Sequence, residues 1–306
     1  MSALWTTLER YLALRRALGF KLERDGMLLP DFLAFLEQHG SRHITTKLAL
    51  EWAKQPADAS AYWWAKRLGF VRRFALHVRA IDPKTEVPPA DLIAYRTCRV
   101  TPYLYKEAEI RALLQACVRL CGPLSPATYA TLLGLLATTG MRLGEAIALD
   151  RSDFHERDRL LVIRHGKFDK AREVPLHTTT VQALRAYGQQ RDQLWRRPRT
   201  LSLLVSNPGH RLWHQNVWER FDRLRRWAAL PQHPRPPRIH DLRHSFAVAT
   251  LLRWYREGVD VEARLPVLST YLGHVNPSTT YWYLTAAPEL LALAAQRLEH
   301  AWGTAP

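Results

Sequence analysis

Five side chains in short segments of the chain have the chemistry needed to hold a phosphodiester and attack it. The segment His240-Asp-Leu-Arg243 is followed by Leu272-Gly-His274, and Tyr283 lies nine residues after that histidine. Upstream, Arg142 stands in Thr-Thr-Gly-Met-Arg-Leu-Gly-Glu. Guanidinium forks bind nonbridging phosphate oxygens in a fixed geometry, and a phenol can form a covalent bond to phosphorus. The set predicts chemistry on a nucleic-acid backbone that needs neither a metal nor ATP.

The charge of the chain fits a polyanionic partner. It has 44 lysines and arginines against 28 aspartates and glutamates, a formal net charge of +16 at pH 7, and a pI of about 10.2. The bases are spread along the whole chain and do not form one terminal tail, which favours nucleic acid over a membrane surface. We expect nucleic acid to be the partner.

The sequence predicts an intracellular protein without a metal or a cofactor. No apolar run approaches the roughly 18 residues of a membrane helix, and the N-terminal segment lacks a signal-peptide pattern. We therefore expect a cytoplasmic protein. Cys98, Cys117 and Cys121 are odd in number and lack the histidine and cysteine partners of a zinc site, so they are expected to be buried or half-buried free thiols.

Apolar spacing divides the chain into two regions joined by a proline-rich segment. Helical periodicity over residues 4–79 predicts an all-helical domain at 1–82, and the prolines of 83–102 predict a linker there. The second domain, 103–306, is mainly helical, but 159–163 and 171–176 have strand periodicity around a turn at Gly166. The predicted fold class is mainly α with a small β-sheet (α+β).

The last predicted helix of the first domain, residues 62–74, mixes aromatic residues with bases. Such a helix can lay its bases along DNA while its aromatics pack inward. For the aromatics alone, an amphipathic core helix with a solvated basic edge is the better explanation. The candidate DNA contacts are Lys66, Arg67, Arg72 and Arg73.

Taken singly, each candidate site residue has an ordinary structural explanation. Arg142 could be a surface base at a helix start, and Tyr283 could be one more core aromatic. His240 and Arg243, three residues apart, could be a hydrogen-bonding pair on one helical face. The order and spacing of all five together favour a shared function.

That combination resembles the tyrosine recombinase, or phage integrase, family. The resemblance rests on Thr139-Gly-Met-Arg142-Leu-Gly-Glu145, on Gly166-Lys167 in the predicted hairpin, and on the histidine, arginine and tyrosine segments quoted above. It covers residues 103–299, and the helical first domain resembles the core-binding domain of the family less specifically. The resemblance implies two domains that form a clamp around DNA.

The resemblance also implies a role for each matching residue. Tyr283 would be the nucleophile that forms a covalent 3′-phosphotyrosine, and Arg142 and Arg243 would hold the phosphate. Lys167 would protonate the departing 5′ oxygen. His240 and His274 would take part in proton transfer and in hydrogen bonds to the phosphate. Glu145 would support the site from behind these residues.

Two of these assignments stay open, and one neighbour is set aside. Lys170 lies on the same predicted turn as Lys167 and could act in its place. Tyr281 could replace Tyr283 if the helix were displaced, although the spacing favours Tyr283. His244 directly follows Arg243, so we expect it to point away and to be structural.

The implied function is site-specific recombination for the integration, excision or transposition of a bacterial mobile element. The partners would be double-stranded DNA at the nucleoid and a homo- or hetero-tetramer with related recombinases. A short amphipathic tail helix predicted at residues 288–299 would dock on a neighbouring protomer, or it could be the last core helix of its own domain. Within the family, residues 251–283 resemble recombinases of transposon-like elements that encode several such enzymes side by side.

Two other functions compete with this one. A type IB topoisomerase shares the tyrosine chemistry, but the helical first domain and the Leu-Gly-His segment favour a recombinase. A DNA-binding accessory protein could keep the fold and lose catalysis, but the complete set of arginine, lysine, histidine and tyrosine residues argues against it.

Overall fold

The computed structural model describes residues 3–95, 101–164, 171–231, 233, 235–274, 276 and 278–286, and six tail positions, 289, 290, 292, 295, 296 and 299. The side chains of 278, 279, 285 and 286 are excepted from that description. The chain divides into two compact units, 1–100 and 101–306. Within the described ranges, no helix is long and apolar enough to cross a membrane. Cys98 lies outside these ranges; Cys117 is a buried free thiol and Cys121 an exposed one.

The first unit is built from four helices. They are α1 (Ala3–Ala17), α2 (Glu23–Gln38), α3 (Thr46–Lys54) and α4 (Ala61–Arg79). The side chains of Thr45 and Ser60 accept hydrogen bonds from backbone N–H groups of the first turns of α3 and α4, which fixes where these helices begin. The apolar faces meet in one core around Phe32, Trp52 and Phe74.

The described part of the predicted linker packs against the first unit. The backbone N–H of Glu86 donates to the carbonyl of Ile44 over 2.8 Å, and Ile93 is buried in the same core as the helices. Arg72 of α4 donates to the carbonyl of Pro88. The prolines prevent a helix, as expected, but an extended segment can still bury its apolar side chains. Residues 86–93 are therefore part of the first unit and not a free tether.

The second unit is mainly helical around a small sheet. Its helices are α5 (Glu107–Ala116), α6 (Ser125–Thr139), α7 (Leu143–Ala148), α8 (Thr178–Leu194), α9 (His214–Trp227), α10 (Asp241–Arg256), α11 (Val261–Leu272) and α12 (Ser278–Ala286), with 3-10 turns at Cys117–Arg119 and Arg151–Asp153. Its strands are β1 (Phe154–His155), β2 (Leu160–Ile163) and β3 (Arg172–Pro175). The predicted fold class is confirmed.

The three strands form an antiparallel sheet in the order β1-β2-β3. In the predicted hairpin, Leu161 lies opposite Val174, and both are buried. The sequence did not predict β1, which is two residues long and pairs with β2 through Phe154 and His155. A strand of that length has too few residues to display a period of two.

Two apolar clusters meet along α10. The larger one surrounds α6 and takes in Leu242 at the start of α10. The smaller one joins α10 to α11 and α12 and contains Leu251, Leu268 and Tyr283. The start of α10 is thus held between the end of α6 and the end of α11, which is where the candidate residues lie.

Two glycines of α6 provide a test of this junction. Gly140 ends α6 with φ of 61°, and a Cβ there would lie 2.4 Å from the Phe246 ring. We expect Gly140→Ala to lower the free energy of unfolding by about 2 kcal/mol or more, because left-handed backbone costs roughly 1–2 kcal/mol and the overlap adds to it.

The matched control is Gly134, inside the same helix, where an added Cβ meets no atom within 4 Å. Gly134→Ala should raise the free energy of unfolding by about 0.5–1 kcal/mol through helix propensity. Urea denaturation of both variants measures the difference. Equal effects of the two substitutions would contradict the close packing of Gly140 against the Phe246 ring.

Candidate active site

The end of α11 gathers three arginines that are far apart in the sequence. The carbonyls of residues 271–273 each accept a hydrogen bond from a different guanidinium. The donors are Nε of Arg172 to Tyr271 (2.9 Å), Nη2 of Arg243 to Leu272 (2.6 Å) and Nη2 of Arg142 to Gly273 (2.9 Å). Carbonyls at a helix C-terminus lack intrahelical partners and carry the negative end of the dipole, so they attract cations. We call residues 271–273 the acceptor turn and the three donors the arginine cluster.

Arg243 joins the ends of two helices. It is 2% exposed, and its Nη1 donates to the carbonyl of Gly140 at the end of α6 over 2.7 Å. Burial, and then the charge of Arg142, lower the pKa of Arg243 to about 10. Arg243 is therefore still protonated at neutral pH, and one buried charge ties α6 and α10 to the acceptor turn.

Arg142 directly precedes α7, where a carboxylate holds it. Oε2 of Glu145 accepts from the backbone N–H of Arg142 over 2.9 Å, and Oε1 accepts from its Nη1 over 2.7 Å. The Arg142 side chain is 25% exposed, against 10% for Arg172. A guanidinium that is oriented by a carboxylate and remains accessible is suited to bind a phosphate oxygen.

Glu145 is a buried carboxylate shared by two arginines. Burial alone would raise its pKa, but the hydrogen bonds from Arg172 and Arg142 outweigh burial and lower the pKa to about 2. The carboxylate is therefore ionised at all physiological pH values. The arginine cluster together with Glu145 carries two net positive charges.

Arg172 is a site residue that the sequence did not predict. It lies on β3, and its Nη1 and Nη2 donate to the two oxygens of Glu145 over 3.0 and 2.8 Å. Its position two residues before the buried Val174 puts it on the inward face of the strand, while Glu173 between them is exposed. A base on the inward face of a strand is the signal that could have identified it.

Tyr283 is the tyrosine that lies beside the arginine cluster. It is 2% exposed, and its ring centroid is 5.5 Å from that of His244 and 6.1 Å from that of His274. Burial raises the pKa of the Tyr283 phenol, and the charge of Arg243 acts in the opposite direction. Tyr281, the alternative nucleophile, is 50% exposed.

His240 and His244 lie one turn apart at the start of α10, and their rings meet edge to face at 4.9 Å. Partial burial, and then Arg243, lower the pKa of His240; burial, and then His240, lower that of His244 to about 4. His244, which was expected to point away from Arg243 and to be structural, has its ring centroid 5.5 Å from that of Tyr283 and therefore lies at the site. Its buried Nδ1 has no hydrogen-bond partner among the described residues. Both imidazoles are neutral at pH 7.

His274 is oriented by a residue that the sequence did not predict. Its Nδ1 lies 2.7 Å from Oγ1 of Thr280, which is buried on α12 three residues before Tyr283. Burial, and then the charges of Arg243 and Arg142, lower the pKa of His274 to about 3. The spacing of Thr280 and Tyr283 on one helical face is the signal that could have drawn attention to it.

Some predicted residues lie outside the described part of the chain. Lys167 and its alternative Lys170 are among residues 165–170. Of the tail predicted at 288–299, the six described positions are helical, and the rest lies outside. Neither lysine nor the docking of the tail is therefore part of the site as described.

The four bases predicted to contact DNA on α4 differ in their surroundings. Lys66 and Arg73 are exposed, although Arg73 also pairs with Asp25 at 3.3 Å. The prediction for Arg67 is wrong, because it is 6% exposed, lies 3.7 Å over the Trp52 ring and donates to the Trp52 carbonyl. Arg67 is committed to the core and is not available to a phosphate.

Together these groups suit attack on a phosphodiester. The cluster offers positive charge where a phosphorane would develop negative charge, and that charge is positioned in advance by carbonyls and a carboxylate. A phenol lies beside it, and neutral imidazoles next to the phenol can accept or pass on a proton. The arrangement is suited to nucleophilic attack by a tyrosine in a mainly helical unit.

Comparison with known proteins agrees with this site. The model of the phage integrase family matches residues 104–289, a span that includes every residue of the arginine cluster and Tyr283. The chain belongs to the phage integrase family of tyrosine recombinases, and its activity is that of a tyrosine-type site-specific recombinase.

Particular relatives extend the likeness over the whole chain. The "Putative integrase/recombinase y4rB" of Sinorhizobium fredii is 43% identical, over 99% of this chain and 99% of its own. A structure of the Tn1549 transposon integrase in complex with transposon right end DNA has a TM-score of 0.68 and 16% identity, over 96% of this chain and 98% of that one. A structure of a lambda integrase tetramer bound to a Holliday junction has a TM-score of 0.57 and 18% identity, over 92% of this chain and 76% of that one. At these identities the two structures establish the fold alone.

The lowered histidine pKa values predict how stability responds to acid. In the folded protein His274 and His244 bind protons only near pH 3 and 4, whereas unfolded histidine titrates at about 6.5. The unfolded state therefore binds more protons between these values, and stability must fall as pH drops below about 6.5.

The slope of the unfolding free energy against pH measures how many protons are taken up on unfolding. Replacing His274 with Asn should reduce this uptake by up to about one proton between pH 6.5 and 4.5. His244→Asn should act in the same direction. Urea unfolding at intervals from pH 7.5 to 4.5 measures the slope. A slope unchanged from the wild type in both variants would be inconsistent with the buried, neutral imidazoles described above.

Proposed function

We propose that this recombinase cleaves and rejoins DNA strands through a covalent 3′-phosphotyrosine at Tyr283. The phenol gives up its proton to a neighbouring neutral imidazole as its oxygen attacks phosphorus, the bond from phosphorus to the 5′ oxygen breaks, and that oxygen takes up a proton. The bond energy is kept in the phosphotyrosine, and attack by a 5′ hydroxyl reverses the step and releases the tyrosine. The observation that carries the proposal is the position of a buried phenol beside the arginine cluster.

The other residues would act on charge and protons. Arg142 and Arg243 balance the charge of the phosphorane, and neutral His240 and His274 are ready to hydrogen-bond to the phosphate and to take part in proton transfer. From the resemblance alone, Lys167 is the proton donor to the 5′ oxygen, with Lys170 as the alternative. Each of these roles is part of the proposal.

The substrate we infer is double-stranded DNA bound by several protomers. The net charge of +16 supports it, as do the structural neighbours, one bound to transposon right end DNA and one a tetramer on a Holliday junction. The transposon integrase favours a role in integrating, excising or transposing a mobile element. The tetramer would contain copies of this chain or related recombinases, at work on the nucleoid of a bacterium.

A nicked duplex that traps the covalent adduct tests this chemistry. The loss of a short 5′ fragment prevents religation, so adduct accumulates and is visible on a denaturing gel. We expect adduct from the wild type, none from Tyr283→Phe, and adduct from the matched control Tyr281→Phe, because Tyr281 faces solvent.

The same assay separates the competing functions. No adduct from the wild type on DNA that it binds would favour an accessory protein. Adduct together with relaxation of a plasmid that has a single site, without joining of two sites, would favour a topoisomerase. Joining of two sites that depends on Tyr283 supports the recombinase.

Exposed and buried bases of α4 should affect DNA binding differently. We propose that Lys66 contacts the DNA backbone, so Lys66→Ala should weaken binding and lower the slope of log K against log salt by about 1. Arg67→Met should leave that slope unchanged and lower the free energy of unfolding by about 1–3 kcal/mol, since it removes a buried hydrogen bond. Titrations at several salt concentrations measure both slopes, and an unchanged slope for Lys66→Ala would argue against the contact.

A further inference from the structure

We propose that Arg172 is a positioning residue for phosphate activation by Arg142. The inference rests on the proposed function of the site, and adds to it a residue that the motif comparison leaves without a role. Each of the three guanidinium nitrogens of Arg172 donates to a described acceptor, the carbonyl of Tyr271 or an oxygen of Glu145. With a side chain only 10% exposed, Arg172 acts on the site through these partners.

The first effect of Arg172 is to fix the plane of the Glu145 carboxylate. Its fork binds both carboxylate oxygens side by side, a geometry that a lysine cannot reproduce. Oε1 of Glu145 also accepts from Nη1 of Arg142 over 2.7 Å, while Oε2 accepts from the Arg142 backbone N–H. The orientation of the Arg142 guanidinium therefore depends on how Arg172 holds the carboxylate.

The second effect is on charge. Paired with Arg142 alone, the ionised Glu145 would cancel the positive charge that a phosphate needs. Arg172 balances the negative charge of Glu145 from the buried side, with Nη2 of Arg172 2.8 Å from Oε2 of Glu145. The positive charge of the more exposed Arg142 is then available to a ligand. At the low effective dielectric of a partly buried site, such a charge has a larger effect than it would in water.

A third observation links Arg172 to the acceptor turn. Gly273 has φ of 67°, and a Cβ at that position would lie 2.6 Å from Nη1 of Arg172. The close approach of the guanidinium requires a glycine, and the same turn leads directly to His274. Through the Tyr271 carbonyl, Arg172 also joins β3 to the end of α11, across 99 positions of sequence.

The test compares two substrates in each variant. A scissile methylphosphonate lacks one nonbridging oxygen and its negative charge, so it depends less on the charge of Arg142 than a phosphodiester does. We expect Arg172→Gln to slow single-turnover adduct formation on the nicked phosphodiester by about 100-fold, as when one oxyanion donor is removed, and on the methylphosphonate by less than about 10-fold. Arg142→Ala should give the same selective pattern. Since both substrates meet the same preparation, any loss of folded protein cancels in the ratio.

Two further variants control for structure. Arg172→Lys restores the charge without the fork, and should give an intermediate loss with the same selectivity; it also serves if Arg172→Gln does not fold. Arg191→Lys is the matched control, because the Arg191 side chain is similarly buried, 6% exposed against 10%, and donates to the Leu203 carbonyl and the Asp192 carboxylate. We expect its two rates to change by the same factor.

The outcomes separate this inference from the proposed function. Adduct from the wild type, with equal losses on both substrates or no loss in the Arg172 variants, would overturn the role of Arg172 alone. No adduct from the wild type on either substrate would overturn the proposed function as well. A selective loss in the Arg172 and Arg142 variants, and not in Arg191→Lys, supports the assignment.

Discussion

The site depends on the carbonyl groups that α11 leaves without intrahelical partners. Three such groups in a row, at residues 271–273, are satisfied by guanidiniums from α10, from β3 and from the residue before α7. A buried carbonyl without a partner costs roughly 1–3 kcal/mol, so these contacts stabilise the fold and the site together. They also explain how three like charges can lie close together before any phosphate arrives, because helix-terminal carbonyls and Glu145 offset their repulsion.

This clustering determines the state of the histidines. Burial and the positive field of the guanidiniums lower the pKa of His274 and His240, so among the described residues the positive charge of the site comes from its arginines. An imidazole that is neutral for this reason gains proton affinity when an anion enters beside it. The negative charge of an arriving phosphate therefore raises the pKa of these histidines and strengthens any hydrogen bond that they donate to it, without a change in bulk pH.

The sequence predicted what local patterns determine and missed what depends on tertiary contacts. Periodicity predicted the hairpin of β2 and β3, and motif spacing singled out Arg142 and Arg243, two of the three arginines that meet at the acceptor turn. The local signal of Arg172 is its place on the inward face of β3, but its partner carbonyl is 99 residues away, and the position of His244 depends on where α12 packs. Arg67 could have been assigned correctly: it precedes Val71 by four residues and Phe74 by seven, a spacing that places it on the buried stripe of α4.

The burial of Tyr283 sets a condition on attack. The phenol belongs to the small core that joins α10, α11 and α12, so the side chain that we propose as the nucleophile also holds its own helix in place. Burial raises its pKa and keeps it protonated, and among the described residues the charges of Arg243 and Arg142 favour the phenolate. A nucleophile of this kind is inactive unless two things hold at once: α12 must be packed on α10 and α11, and the arginine cluster must be oriented around a phosphate. The packing of α12 and the charge of the arginine cluster thus both act on the phenolic oxygen of Tyr283. The reactivity of this oxygen therefore depends on whether α12 is packed in place.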